Sequence, residues 1–205
     1  MKLNFPASPK PLTAWGIDLG TTNSTLCRTT LASGGTVPAE PEVVELRQST
    51  QAGTYIGTLV PSMVAVHHGN EFVGEGAKNL RALTAAPPDG MTRNVNLFHD
   101  CKNEIGTSRT YPNAPTGYRN PTEIAAKILD FMRREGMSES AGDVVVTVPA
   151  SFQTAQRAET ARACALAGLY VGGGRLLDKP VAAFIEYAYR YDPALLDGVT
   201  TKKTG

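Results

Sequence analysis

The chain has 205 residues, of which 41% are hydrophobic and 19% are charged, and its formal net charge is +1. These are the values of an ordinary globular protein, long enough for one large domain or two small ones. Lysine and arginine are spread along the chain and no apolar run approaches about 20 residues, so the sequence argues against a nucleic-acid partner and a membrane partner.

The N-terminal segment and the three cysteines bear on where the protein works. Residues 1–10 are polar and contain proline, without the apolar stretch of a signal peptide, so residues 1–12 are predicted to be a disordered leader. Cys27, Cys101 and Cys164 lie far apart, and an odd number without close pairs predicts neither a disulfide framework nor a zinc site. Free thiols in a reducing cytoplasm are therefore expected.

The first half of the chain mainly predicts strands. Short apolar or β-branched runs indicate them over residues 15–19, 24–30, 42–46, 62–67 and 71–73. The last two flank Gly69-Asn70 and should pair as a hairpin. Residues 48–60 are rich in glycine, threonine and serine and predict a loop. A helix is expected over 74–85, before the prolines at 87 and 88, and residues 101–117 are expected to be irregular.

The second half alternates helices and strands. Asn120 suits a helix N-cap and Pro121 the first helical position, and Gly136 can close that helix. The apolar run Val144–Val148 is typical of a strand buried on both faces. The remaining predicted elements are a helix over 155–167, a short strand over 175–177 and a helix over 181–191. This order predicts a mixed α/β fold with helices packed on a sheet.

The segment Gly16-Ile17-Asp18-Leu19-Gly20-Thr21-Thr22-Asn23-Ser24 has the chemistry of a phosphate-binding turn. A strand delivers Asp18 to its carboxyl end, and Gly20 lets the backbone turn closely around a ligand. Thr21 and Thr22 offer hydroxyl and N–H groups to phosphate oxygens, and the nearby carboxylate can hold a hydrated Mg²⁺. By themselves these residues also fit a plain β-turn. No P-loop motif is present, and Gly172-Gly173-Gly174, which precedes a strand, is interpreted as a flexible connection.

Several motifs in order resemble the N-terminal ATPase domain of the seventy-kilodalton heat-shock chaperones, from Trp15 to about Tyr191. Residues 16–24 are similar to the first phosphate motif of that family. Further similar segments are Pro61–Val66, Gly74–Asn79, Asp100–Lys102 with Ile105-Gly106, Val146–Phe152 with Ala155-Gln156-Arg157, Ala167–Leu169 and Asp178–Ala183. Sugar kinases and actin-like filament proteins share the first motif but not the whole series.

The resemblance implies an actin-like ATPase (ribonuclease H-like) lobe. Its core subdomain would comprise residues 13–47 and 118–192, with a smaller α+β subdomain inserted at 48–117 and a polar tail at 193–205. ATP or ADP and Mg²⁺ would be the cofactors. Client polypeptides and cochaperones would bind only through the full-length protein.

Residue roles follow from the same resemblance. Asp18 would position Mg²⁺-bound water, and Lys102 would reach the γ-phosphate and stabilise charge in the transition state. Pro149 and Arg157 would act as switch and relay towards the substrate domain. The nucleotide phosphates would be bound by Gly20, Thr21, Thr22 and Asn23. Without the resemblance, Lys102 reads as a solvated lysine, Pro149 as the end of a strand and Arg157 as an exposed helical residue.

Two departures from the family pattern limit this interpretation. Lys179 stands where the family has a glutamate that organises the Mg²⁺ water shell, so hydrolysis should suffer more than nucleotide binding and the dependence on Mg²⁺ should weaken. The second phosphate loop and the second lobe are not found before Gly205. The chain alone is therefore expected to be catalytically inactive, as one wall of a two-walled cleft. A non-catalytic interaction module and a sugar- or acid-kinase relative remain the alternatives.

Overall fold

The computed structural model describes residues 9–35, 39–82, 90–137, 143–172, 175–191 and Leu195. The strands within these residues are β1 (Leu12–Asp18), β2 (Asn23–Leu31), β3 (Glu42–Val43), β4 (Leu46–Thr50), β5 (Gly53–Gly57), β6 (Val60–Pro61), β7 (Met63–His67), β8 (Asn70–Val73), β9 (Leu97–His99), β10 (Asp143–Val148) and β11 (Leu176–Asp178). The helices are α1 (Glu75–Arg81), α2 (Pro121–Gly136), α3 (Thr154–Leu166) and α4 (Lys179–Tyr191), with a 3-10 helix at Cys101–Glu104.

The largest sheet is mixed, as expected. Its order is β11-β10-β1-β2-β3, and β6 also pairs with β2. Strand β10 runs parallel to both β1 and β11, whereas β2 is antiparallel to β1. The three parallel strands end at Asp18, Val148 and Asp178. Because parallel strands present their carboxyl ends at the same edge, the residues that follow these three strands meet there.

Strand β10 is more buried on one face than on the other. Val144, Val146 and Val148 are buried, whereas Val145 and Thr147 between them are only half-buried. Val144 and Val146 of the buried face belong to a core cluster with Trp15 and residues of α2 and α3. The prediction of a strand buried on both faces is therefore correct for one face only, because Val145 and Thr147 on the other face are partly exposed to solvent.

Helix α2 spans the residues that its sequence signals predict. The Asn120 side chain accepts a hydrogen bond from the Glu123 backbone N–H at 2.9 Å, and Pro121 is the first helical residue. The helix ends at Gly136 as predicted, but a glycine is needed there because Leu26 and Leu46 pack closely against it. A Cβ there would lie 2.4 Å from Leu26 Cδ2 and 2.6 Å from Leu46 Cδ2. A larger residue at this position would push the helix away from the sheet.

The predicted loop at 48–60 is wrong, because β4 and β5 pair there as a hairpin. Leu46 and Gln48 point inward and are fully buried. The Gln48 amide donates to the Leu59 carbonyl at 2.9 Å and accepts from the Glu75 N–H at 2.8 Å. A buried glutamine thus joins the hairpin to the start of α1, and composition alone gives no sign of this role.

A second sheet has the order β8-β7-β9 and packs with α1. The predicted hairpin of β7 and β8 is confirmed, with His68 and Gly69 at positive φ in the turn. The third strand, β9, is not predicted by the sequence. This part of the chain has a small core of its own, formed by Ala65, Ala77, Leu80, Met91 and Leu97.

Several expectations concern the ends and connections of the chain. Leu12, the last residue of the predicted leader, lies in β1 and pairs with Leu31. Residues 1–8, the prolines at 87 and 88, two of the three glycines at 172–174 and most of the 193–205 tail lie outside the described residues.

Where the structure describes the chain, no helix has both the length and the apolar character needed to cross a membrane. Its three cysteines are free thiols, of which two are buried.

Candidate functional site

Asp18 lies at the edge of the main sheet where the parallel strands end. Its carboxylate Oδ1 accepts a hydrogen bond from Thr147 Oγ1 at 3.0 Å, since Thr147 is its register partner on β10. The same oxygen forms an ion pair with Lys179 Nζ at 2.7 Å. The Asp18 side chain remains about half exposed. The carboxylate is thus held by two neighbours and still faces solvent.

The turn after Asp18 is built around Gly20. A Cβ on residue 20 would lie 1.8 Å from the Asn23 carbonyl oxygen, so only glycine fits this conformation. The Gly20 N–H donates to Ser24 Oγ at 3.2 Å, and the Ser24 hydroxyl lies 2.9 Å from that of Ser62. The Ser62 N–H in turn donates to the carbonyl of Thr22 at 2.8 Å. These bonds fix the turn from its buried side.

The opposite side of the turn faces solvent. Thr21 is half-buried, and Thr22 and Asn23 are exposed. The backbone of Asn23 already belongs to β2 and pairs with Pro61 of β6. The predicted phosphate-binding groups are therefore presented on a fixed backbone at a solvent-exposed position.

Lys102 reaches this turn from the 3-10 helix. Its side chain is buried, its ammonium donates to the Leu19 carbonyl, and Nζ lies 5.6 Å from the centre of the Phe152 ring. The pKa of Lys102 is lowered from 10.5 to about 8, mainly by burial and next by repulsion from Lys179, while Asp18 acts in the opposite direction. Among the described residues, the neighbours found for this ammonium are a carbonyl, an aromatic ring and the Asp18 carboxylate, and its lowered pKa shows that they compensate its burial only in part.

Lys179 is the first residue of α4 and directly follows β11. Its side chain is 39% exposed, so the ion pair with Asp18 is open to solvent. Together, Lys102, Lys179 and Asp18 carry two positive charges and one negative charge. The excess positive charge beside a glycine turn favours an anion.

Pro149 lies on the connection between β10 and α3, and Arg157 lies near the start of α3 itself. Pro149 follows β10 directly, and its carbonyl accepts from the Phe152 N–H at 3.0 Å. Arg157 Nε donates to the Phe152 carbonyl at 3.1 Å, and its guanidinium forms an ion pair with Asp178. Arg157 thus ties the connection after β10 to the end of β11, next to Lys179.

The structure adds residues to those expected from the sequence. Thr147 contacts Asp18, and Phe152 contacts Lys102. Asp178 contacts Arg157. A threonine within a run of valines is an unusual choice for a buried strand, which is a signal that the sequence offered for Thr147. The contacts of the other two depend on the strand register and on the packing of α3.

The site fits a phosphate group better than it fits Mg²⁺. A fixed glycine turn and two ammonium groups are suitable for phosphate oxygens. At Asp18, however, Oδ1 already accepts from Thr147 and is paired with the Lys179 ammonium, which balances the charge that would attract a metal ion. Within the part of the chain that the structure describes, no group of three or more acidic, histidine or cysteine side chains is placed to hold a metal ion.

The fold and this site together define a mixed α/β domain with a glycine turn, a carboxylate and two lysines at one edge of its sheet. A sequence model of the Hsp70 protein family matches residues 109–192. The chaperone protein HscA of Yersinia enterocolitica is 34% identical to this chain, over 85% of the chain and 28% of HscA. The chain belongs to the Hsp70 family, as an N-terminal domain, and it spans 28% of the length of this relative.

Proposed function

We propose that this domain is the N-terminal nucleotide-binding lobe of a chaperone ATPase with an actin-like fold, and that it binds the phosphates of ATP or ADP. The observation that carries the proposal is the placement of Lys102. Its buried ammonium lies against the Leu19 carbonyl, beside a turn that only a glycine at position 20 allows. A buried cation is costly unless it serves an anionic partner.

In this proposal the residues of the site divide the work by their chemistry. Thr21, Thr22 and Asn23 donate hydrogen bonds to the β- and γ-phosphates, and Gly20 allows the close approach. Lys102 binds a γ-phosphate oxygen and stabilises the negative charge that develops during transfer. Asp18 holds Lys179 in place beside the phosphates.

We also propose a coupling role for Pro149 and Arg157. Arg157 joins the Phe152 carbonyl to Asp178, and Phe152 itself lies against Lys102. A movement of Lys102 towards a phosphate would therefore reach α3 through the contacts of Phe152 with Lys102 and Arg157.

The division of the chain is part of the proposal. Residues 13–47 and 118–192 would form the core subdomain, and residues 48–117 the smaller one. The small core around Leu80 supports a unit in the second range, although Val64 and Phe98 of that range pack in the main core and the boundary at 47–48 falls inside β4.

The activity of the whole protein is likewise proposed. The Hsp70 family implies a nucleotide and Mg²⁺, and ATP hydrolysis, client polypeptides and cochaperones would belong to the full-length protein. Helix α4 exposes large apolar side chains that would suit packing on a second lobe, namely Val181, Phe184, Ile185, Tyr187 and Tyr191. The comparisons favour neither an interaction module nor a sugar kinase.

The proposal is tested by titrating the domain with ATP, ADP and adenosine, using phosphorus and proton NMR, which detect millimolar binding. Because the domain provides one wall of the cleft, we expect weak binding of ATP and ADP and none of adenosine. Lys102→Gln should weaken ATP binding at least about tenfold, as for a lost charge-assisted contact. Lys78→Gln, at an exposed lysine on α1, is the control and should change nothing. Equal binding of adenosine and ATP would refute a phosphate site.

A further inference from the structure

The ion pair between Lys179 and Asp18 has a geometry that bears on the metal requirement of the site. Lys179 Nζ lies 2.7 Å from Asp18 Oδ1, and Thr147 Oγ1 lies 3.0 Å from the same oxygen. The first distance is that of a charge-assisted hydrogen bond. Lys179 follows β11 directly and opens α4, and both elements contact each other, so its backbone position is fixed.

An ammonium at this position replaces a metal-bound water. Water in the shell of Mg²⁺ donates to a carboxylate at about 2.7 Å, which is where the Lys179 nitrogen already stands. The ammonium also carries a positive charge that repels a divalent cation, and Lys102 adds a second. Asp18 therefore has two donors on Oδ1, and its charge is balanced by Lys179 from within the chain.

We propose that this site binds the phosphate chain of a nucleotide in its metal-free form, with the Lys179 ammonium in the place of the divalent cation. The inference rests on the proposed nucleotide-binding function and names the ionic form of the ligand. Metal-free ATP carries two more negative charges than its Mg²⁺ complex. A site with two ammonium groups, one of them already paired with Asp18, favours the more anionic form.

The ligand form is tested by measuring ATP affinity with phosphorus NMR titrations, once in EDTA and once in excess Mg²⁺. For the wild-type domain we expect an equal or lower Kd in EDTA. Lys179→Glu should reverse this preference, with a Kd in EDTA at least about tenfold higher than in Mg²⁺, because it replaces a cation by an anion. Lys78→Glu makes the same charge change at an exposed site on α1 and should behave as the wild type.

A second variant keeps the test decisive if Lys179→Glu does not fold. Lys179→Met removes the charge without adding one, and it should weaken ATP binding in EDTA at least about fivefold. Unchanged affinity of this variant in EDTA would overturn the inference. A wild-type domain that needs Mg²⁺ for binding would overturn it too, while leaving nucleotide binding intact. A wild-type domain that binds ATP in neither medium would instead overturn the proposed function.

Discussion

Replacing Lys102 by methionine should change how the stability of the domain depends on pH. The pKa of Lys102 is lowered from 10.5 to about 8, first by burial and then by repulsion from Lys179. A pKa difference of about 2.5, at about 1.36 kcal/mol for each step of one, corresponds to about 3.4 kcal/mol. Because solvent partly screens an ammonium at the edge of a site, we expect about half of this value, about 1.5–2 kcal/mol, in the free energy of unfolding.

The sign follows from proton binding in the two states. Below pH 8 the lysine is protonated in both states, and the folded state carries the full cost of the buried charge. Between about pH 8 and 10.5 the unfolded chain holds a proton that the folded chain has lost, so the wild-type protein gains stability as pH rises. Lys102→Met lacks this gain, since it has no proton to lose.

The measurement is urea unfolding from pH 7 to 10.5, followed by the fluorescence of Trp15, the single tryptophan, which is buried. The quantity of interest is the wild-type minus variant free energy of unfolding. The buried thiols of Cys101 and Cys164, whose pKa values are raised to about 11 and about 12, titrate in both proteins and cancel. A difference that stays constant over this pH range would show that Lys102 is solvated and would refute the argument.

Two further substitutions probe the turn and the connection after β10. Gly20→Ala should destabilise the domain by at least about 2 kcal/mol and abolish ATP binding, because its Cβ would meet the Asn23 carbonyl oxygen at 1.8 Å. Gly16→Ala, which makes only an ordinary contact, should stay within about 0.5 kcal/mol in urea unfolding. Arg157→Lys should cost about 1 kcal/mol by loosening the pair with Asp178. An unchanged urea midpoint would mean that this pair does not stabilise the fold.

Local signals in the sequence predict the elements whose causes lie within a few residues. Helix α2 begins after Asn120 and ends at Gly136, as its capping residue, its proline and its glycine predict. The hairpin around Gly69 follows from turn chemistry, since positive φ is easily adopted there. Such features are caused by residues that are close together in the sequence, so the sequence alone can predict them.

Composition and local patterns do not predict the elements that depend on distant partners. The hairpin of β4 and β5 looks like a loop by composition, and only the tertiary contacts of Gln48 with Leu59 and Glu75 show why it is ordered. Gly136 ends α2 as predicted, but its reason is close packing on Leu26. Glu75 and Leu26 lie far along the chain from Gln48 and Gly136. The composition around Gln48 and Gly136 therefore cannot reveal why the hairpin is ordered or why residue 136 is glycine.

In the candidate site too, some features follow from local sequence and others depend on contacts between distant residues. From the sequence, Asp18 stands at the end of a strand and Gly20 begins a turn suited to phosphate. The sequence placed Lys102 and Lys179 there only through a family resemblance. The tertiary structure decided their contacts, because Lys102 lies 83 residues from Leu19 in the chain and yet donates to its carbonyl. The parallel order of β1, β10 and β11 brings Lys179 to Asp18, where its ammonium faces the carboxylate expected to serve Mg²⁺.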